Sequence, residues 1–148
     1  MIGEEDSVKD DRLRVPIDDP YLHAVGLALI CFARAEWAAV YCCEKMGPGY
    51  IGTVGKKTAG QIATDLVARA AAHPDPAVVA TLSPAADEFK RLVGIRNDLM
   101  HANPGTAPNG DQRLFRKGSE WTIPAVDDAA DEFSANSIIL DDHYHNVL

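Results

Sequence analysis

The sequence predicts a mainly α protein: a four-helix bundle with a small β-hairpin before the last helix. Two observations support this. Long apolar stretches with helical spacing are separated by clusters of proline and glycine, of which residues 47–49 and 73–76 are the clearest. One short stretch, about 112–123, instead has the composition of two strands joined by a tight turn. The length of 148 residues corresponds to one domain, which we place at 20–148.

The first helix is predicted over about 20–46, after an acidic N-terminal arm (1–19) that we expect to be flexible. Pro20 follows two aspartates, which suit the first turn of a helix, and the glycines at 47 and 49 end it. This helix is apolar on most sides, as is typical of a central or interface helix. Glu36 is an exception, because it lies within the apolar stripe of the helix.

Three further helices follow. The second is predicted over about 58–73, after a glycine-rich link that contains Lys56 and Lys57. The third is predicted to begin at Ser83 and to end before residues 103–105, with only a short helical turn ahead of it at 77–82. The last is predicted over about 125–146, and we expect the long helices to run antiparallel.

The third helix has the most unusual charge pattern. At about 100° per residue, Arg96 lies in the middle of the apolar stripe, whereas Lys90 is on the opposite, solvated side. A permanently charged guanidinium at such a position requires a partner or an interface. Two interpretations remain open: a structural ion pair with Glu36, or a functional site formed with Asn97 and His101, which lie one turn apart.

The composition narrows the classes of partner. A formal net charge of −8 argues against a protein that coats nucleic acid non-specifically. Residues 20–119 nevertheless carry 11 bases and 8 acids, so the body of the chain can hold a short anionic ligand. The three cysteines match neither a disulfide framework nor a zinc site, which predicts buried thiols. With no signal-like N-terminus and an apolar run at 21–33 too short for a membrane span, we expect a cytoplasmic protein.

Two histidines near residue 148 require a separate interpretation. His143 and His145 lie beside two aspartates, a composition that superficially resembles a metal site. Because they lie on an acidic helix at its far end, we interpret both as solvated surface residues. No cofactor and no metal is expected.

The segment Arg96-Asn97-Asp98-Leu99-Met100-His101 resembles the R-x(4–6)-H motif of the HEPN superfamily, including the polar residue after the arginine. The wider pattern is also similar over about 20–104: a long first helix with a buried acid, a G-K-x-T-x-G-x-I entry to the second helix, and then the motif helix. The hairpin and last helix lie outside the core pattern. The resemblance implies a helical bundle that dimerises with its two motif helices facing each other.

The resemblance also implies a chemistry, because many HEPN proteins are metal-independent endoribonucleases of toxin–antitoxin and other defence systems. Arg96 and His101 would then be catalytic and would leave a 2′,3′-cyclic phosphate, with Asn97 orienting the phosphate or the imidazole. Glu36 would hold Arg96. Weaker candidates for contact with the RNA backbone are the basic residues on turns and strands: Lys56, Lys57, Arg113, Arg116 and Lys117.

The alternative is a catalytically inactive HEPN-like binding or scaffolding module. Its partner would be another protein, such as an antitoxin of the nucleotidyltransferase type. The acidic surface favours this alternative, whereas the motif favours the ribonuclease.

Overall fold

A computed structural model describes residues 12–148 of the chain. Within these residues there are four α-helices, α1 (Asp19–Met46), α2 (Ala59–Ala71), α3 (Pro76–Met100) and α4 (Ile123–Asp142), and three strands, β1 (Asn103–Thr106), β2 (Gln112–Arg116) and β3 (Ser119–Trp121). A 3₁₀ helix (Tyr50–Lys56) follows α1, and a π-helical turn (His143–Val147) follows α4. The predicted class, mainly α with a small sheet before the last helix, is confirmed. The predicted arm over 1–19 lies largely outside the described residues.

Polar side chains define where the helices begin. The Asp18 carboxylate accepts a hydrogen bond from the Tyr21 amide at the start of α1. Thr58 and Gln61 form a capping box at the start of α2, and Thr122 caps α4. Each cap satisfies amides that have no partner within the helix, and α1 and α4 also have a proline in the first turn.

Helix α3 begins at Pro76, so the predicted start at Ser83 is wrong. The Asp75 carboxylate accepts a hydrogen bond of 2.9 Å from the Ala77 amide, which makes residues 75 and 76 the helix start. Pro84 therefore lies inside the helix, where it removes one backbone hydrogen bond. The extra turns bury Val78 and Leu82 in the core, and this burial offsets the loss.

Helices α1 and α4 run parallel, contrary to the expectation that the long helices are antiparallel. The Phe32 ring contacts the Phe133 ring at 5.2 Å between centroids, and further along both helices the Cys42 thiol donates to the Leu140 carbonyl at 3.2 Å. Residue numbers thus increase together on both helices. The reason is the sheet, which returns the chain to the end of the bundle at which α1 begins: the Tyr21 hydroxyl donates to the carbonyl of Trp121 just before α4.

The sheet is antiparallel, in the order β1-β2-β3. Strands β2 and β3 form the predicted hairpin, whose turn residues Lys117 and Gly118 have φ angles of 52° and 80°. Strand β1 was not predicted, because Pro104 indicated only the end of a helix. A proline is tolerated there because β1 is an edge strand. The Phe115 ring packs so closely on Gly105 that an added Cβ would lie 2.9 Å from it.

The core is centred on three aromatic rings from different helices. Phe32 of α1 contacts both Phe89 of α3, at 5.9 Å between centroids, and Phe133 of α4. The thiols of Cys42 and Cys43 are also buried, and burial raises their pKa values to about 12 and about 11. Both thiols are therefore protonated and unreactive near neutral pH. The prediction of buried cysteines is confirmed for these two, whereas Cys31 is only half-buried.

Helix α1 is long and apolar enough to cross a membrane when judged by length and composition alone. The expectation that the apolar run is too short was therefore wrong, because the helix extends well past residue 33. The core helix of a soluble protein passes the same test, and α1 packs on α2, α3 and α4.

The Tyr21 hydroxyl joins α1 to the sheet, since it donates to the Trp121 carbonyl at 2.7 Å and accepts from the Leu114 amide at 3.1 Å. Tyr21→Phe should lower the free energy of unfolding by about 1–3 kcal/mol, because it leaves two sheet groups without a partner. Urea denaturation measures this loss. Tyr41→Phe, at an exposed tyrosine, is the matched control and should be nearly silent. An equal effect of the two substitutions would contradict the proposed role of the hydroxyl.

Candidate functional site

Arg96 is half-buried in the last turns of α3, and its guanidinium lies over an aromatic ring. The Cζ atom is 4.8 Å from the centroid of the Phe32 ring. The Nε atom is buried and has no hydrogen-bond partner, and among the described residues it shares this property only with Asn136 Oδ1. The part of Arg96 that solvent reaches is therefore elsewhere on the side chain. An arginine held in this way retains donors for an anion that approaches from outside.

Phe32 is the residue that the sequence analysis missed at this site. Its ring is 4% exposed and is fixed from below by Phe89 and Phe133. A cation over such a ring gains about 0.5–2 kcal/mol, depending on how far it is desolvated. Helical spacing was the one signal in the sequence that could have identified Phe32 as part of the site. Phe32 and Glu36 lie one turn apart on the same stripe of α1.

Glu36 is half-buried. Among the described residues, it forms no ion pair with Arg96. The predicted direct pairing is therefore wrong, and the physical reason is that the Phe32 ring receives the guanidinium instead. Burial raises the pKa of the Glu36 carboxyl above its ordinary value of 4.5, and the longer-range attraction of Arg96 opposes this increase. Desolvation is the larger of the two effects.

His101 is the C-terminal cap residue of α3, and it is exposed to solvent. Its amide donates to the Asn97 carbonyl at 2.9 Å, which continues the helical pattern by one residue. Asn97 is half-buried on the preceding turn. The exposed imidazole of His101 is accessible to an external group, as a proton-transfer residue must be.

Two of the five weaker candidates lie beside His101. The Arg116 guanidinium is 3.4 Å from both an Asp98 carboxylate oxygen and the His101 carbonyl oxygen. Lys117 is exposed in the adjoining hairpin turn. A cavity of about 360 Å³ adjoins this end of α3, lined by Asp98, Arg116, Lys117, Ser119, Glu120, Trp121 and Ala125.

The other three candidates have structural partners or lie elsewhere. Arg113 pairs with Asp18 at 2.5 Å and its side chain is only 9% exposed. Lys57 pairs with Asp65 at 2.6 Å, and Lys56 is exposed next to it. Both lysines follow the C-terminal end of α1, whereas His101 lies at the end of the bundle with the sheet. They do not join the site.

The two C-terminal histidines differ from each other. His143 was expected to be solvated, but it is 6% exposed, because its Nδ1 lies 2.8 Å from the Ile139 carbonyl and its Nε2 lies 3.1 Å from the Thr81 hydroxyl. His145 is exposed, 3.4 Å from an Asp141 carboxylate oxygen. Among residues 12–148, no group of three or more His, Cys, Asp or Glu side chains is arranged so that it could hold a metal ion.

Comparison of the chain with protein-family models, with curated proteins and with solved structures gave no match. The interpretation of the site therefore depends on its own residues. These are a guanidinium with a buried and unpartnered Nε, an exposed histidine one and a half turns further along the same helix, and a polar side chain between them.

The raised pKa of Glu36 predicts the direction in which the free energy of unfolding changes with pH. A carboxyl whose pKa is higher in the folded state binds its proton more tightly there, so its contribution to stability is fully present below about pH 4 and is lost as the pH rises through the folded pKa. Glu36→Gln should therefore gain stability relative to wild type between about pH 4 and pH 7. Urea denaturation at both pH values measures this difference. A relative loss for Glu36→Gln at neutral pH would contradict the account and indicate an ion pair with Arg96.

Proposed function

We propose that this chain is a metal-independent endoribonuclease of HEPN type, which acts as a cytoplasmic toxin or defence effector. The observation that carries the proposal is Arg96, a guanidinium whose Nε is buried without a partner while His101 is exposed on the same end of the helix. A purely structural arginine is expected to have its donors satisfied within the protein. In this proposal a substrate phosphate binds the part of the Arg96 guanidinium that solvent reaches, and the buried Nε stays covered by the protein.

The proposed reaction uses the nucleophile that RNA itself contains. One histidine removes the proton of the 2′-OH, the 2′-oxygen attacks the adjacent phosphorus, and a second histidine protonates the departing 5′-oxygen. The products are a 2′,3′-cyclic phosphate and a free 5′-OH. Arg96 stabilises the charge on the phosphate, and Asn97 orients the phosphate or the imidazole. Glu36 supplies longer-range attraction to Arg96 and no direct contact.

The second histidine comes from a second copy of the chain in a homodimer. Helix α1 presents an apolar face to solvent, in which Leu22 is 42% exposed, Ile30 is 61% exposed and Ala33 is also exposed. Packing these faces about a two-fold axis covers the apolar surface and brings two motif helices together. The α1 face and the motif helix then form one composite active site.

The second candidate is the inactive HEPN-like module that binds another protein, such as a nucleotidyltransferase-type antitoxin. The net charge of −8 favours it, because an acidic protein attracts RNA weakly. An active site on such a protein would depend on the local cations Arg96 and Arg116. A cognate antitoxin is compatible with both candidates.

The dimer is tested by placing a charge in the α1 face. Ile30→Asp should weaken dimerisation by about 10²-fold or more, because the two-fold axis brings two carboxylates together in an apolar interface. Light scattering at micromolar concentration measures the mass. Ile51→Asp, at an exposed position on the 3₁₀ helix, is the control and should remain dimeric. A monomeric wild type would exclude the composite site.

The chemistry is tested with purified protein and single-stranded RNA in EDTA. Wild type should retain its activity, whereas Arg96→Ala and His101→Ala should each lower the cleavage rate by about 10²–10⁴-fold. Lys90→Ala, on the exposed side of the same helix, is the matched control and should be nearly silent.

Loss of all activity with EDTA, or cleavage of an all-DNA strand, would exclude this mechanism. If wild type cuts no RNA and its induced expression is harmless to cells, the binding-module candidate replaces the ribonuclease.

A further inference from the structure

Aromatic rings form a continuous row along the seam between α1 and the C-terminal end of α4. The ring centroids of Trp37 and Tyr41 are 5.9 Å apart, those of Tyr41 and Tyr144 are 5.6 Å apart, and those of Tyr144 and His145 are 4.8 Å apart. Trp37 and Tyr41 remain 45% and 41% exposed. The rings already contact one another, so nothing can insert between them and only their outer surfaces are free.

A groove of about 500 Å³ follows this seam. Its walls are Trp37, Tyr41 and Ile138, and Ile138 is 67% exposed. Smaller side chains, among them Ala38 and Ser134, make room between the walls. The lining residues lie at 31–41 of α1 and 134–141 of α4, so the groove extends over about two turns or more of each helix. We call it the α1–α4 groove, and its shape suits large apolar side chains spaced one helical turn apart.

The rim of the groove is acidic on the α4 side. The exposed residues Asp127, Asp131, Asp141 and Asp142 lie within about 60° of Ile138 on the helix. Residues 120–148 carry seven acids and no lysine or arginine. One cation, Arg34, lines the groove from the α1 side. Lys45, also on α1, lies outside the lining and is already engaged with the Tyr144 ring at 4.9 Å. This charge pattern disfavours a phosphate backbone and favours a basic partner.

We propose that the α1–α4 groove binds an amphipathic helix of another protein, one that has a narrow apolar stripe flanked by lysine and arginine. Its apolar side chains enter the groove against Trp37, Tyr41 and Ile138, and its basic residues pair with the acids of α4. Tryptophan, tyrosine and arginine are the residue types that most often dominate the energy of such interfaces. The surface lies outside the ribonuclease site, and its test does not depend on whether the chain cleaves RNA.

The test uses two synthetic peptides with the same leucine stripe, one flanked by lysine and the other by glutamate. Calorimetric titration of the full chain should show that the lysine peptide binds at least about tenfold more tightly, because only its charges complement the rim. Ile138→Asp should weaken this binding by at least about tenfold, and Asp141→Lys should reduce the preference for lysine over glutamate. Both positions are exposed, so the fold is retained. Ile51→Asp is the control and should bind like wild type.

Three outcomes would overturn the proposal. The first is equal binding of the two peptides, or no binding of either. The second is binding of the lysine peptide that Ile138→Asp leaves unchanged. The third is evidence that the groove binds something else. If Ile138→Asp abolishes binding of an oligouridine strand, the occupant is RNA. If Ile138→Asp turns a wild-type dimer into monomers in light scattering while the Ile51→Asp control stays dimeric, the occupant is a second copy of the chain.

Discussion

The Phe32 ring connects the core of this protein to its candidate site. On its inner side the ring packs on Phe89 and Phe133, so it fixes α1 against α3 and α4 at one point. The same ring carries the guanidinium of Arg96. Because packed cores move little, the position of Arg96 is set by the same contacts that stabilise the bundle. The site therefore depends on the core, and a change in the core at Phe32 would alter both.

Helix α1 belongs both to the core and to an exposed apolar stripe. Ile30, Trp37 and Tyr41 lie within about 40° of one another on the helix, and the α4 side of this stripe has an acidic rim. The buried part of α1 is made largely of small residues, including Ala24, Ala28, Ala35 and Ala39, which let the neighbouring helices approach closely. Other large apolar side chains of α1, such as Leu22, Ile30 and Trp37, lie on the exposed side, while Phe32 remains in the core. This exposed apolar surface favours α1 as an interaction helix as well as a core helix.

Local signals in the sequence identified most of the architecture. The first two helices were predicted nearly to the residue. Their boundaries are set by the caps at Asp18 and Thr58 and by the helix-breaking residues 47–49, and each of these signals acts within one helical turn. The start of α3 was wrong because the Ser83-Pro84 pair and the Asp75-Pro76 pair are equivalent as local signals, and burial of Leu82 decides between them. Strand β1 and the parallel direction of α4 depend on contacts distant in sequence, such as Tyr21 with Trp121.

The candidate site was only partly predictable for the same reason. Helical spacing placed Arg96 in an apolar stripe and His101 one and a half turns away, because both facts are local. It could not decide whether Arg96 meets Glu36 or Phe32, since both lie on the same stripe of another helix. The choice depends on the relative rotation of α1 and α3. Contact of Arg116 with the His101 carbonyl likewise required the sheet to be folded.

The central claim is that RNA supplies its own nucleophile while His101 moves the protons. Mass spectrometry of the 3′ ends left on a defined RNA strand tests this most directly. We predict a 2′,3′-cyclic phosphate with wild type and intact strands with His101→Ala under the same conditions. A linear phosphate from the first moment of the reaction, or a 3′-hydroxyl end, would show that water or another nucleophile attacks the phosphorus and would contradict the account.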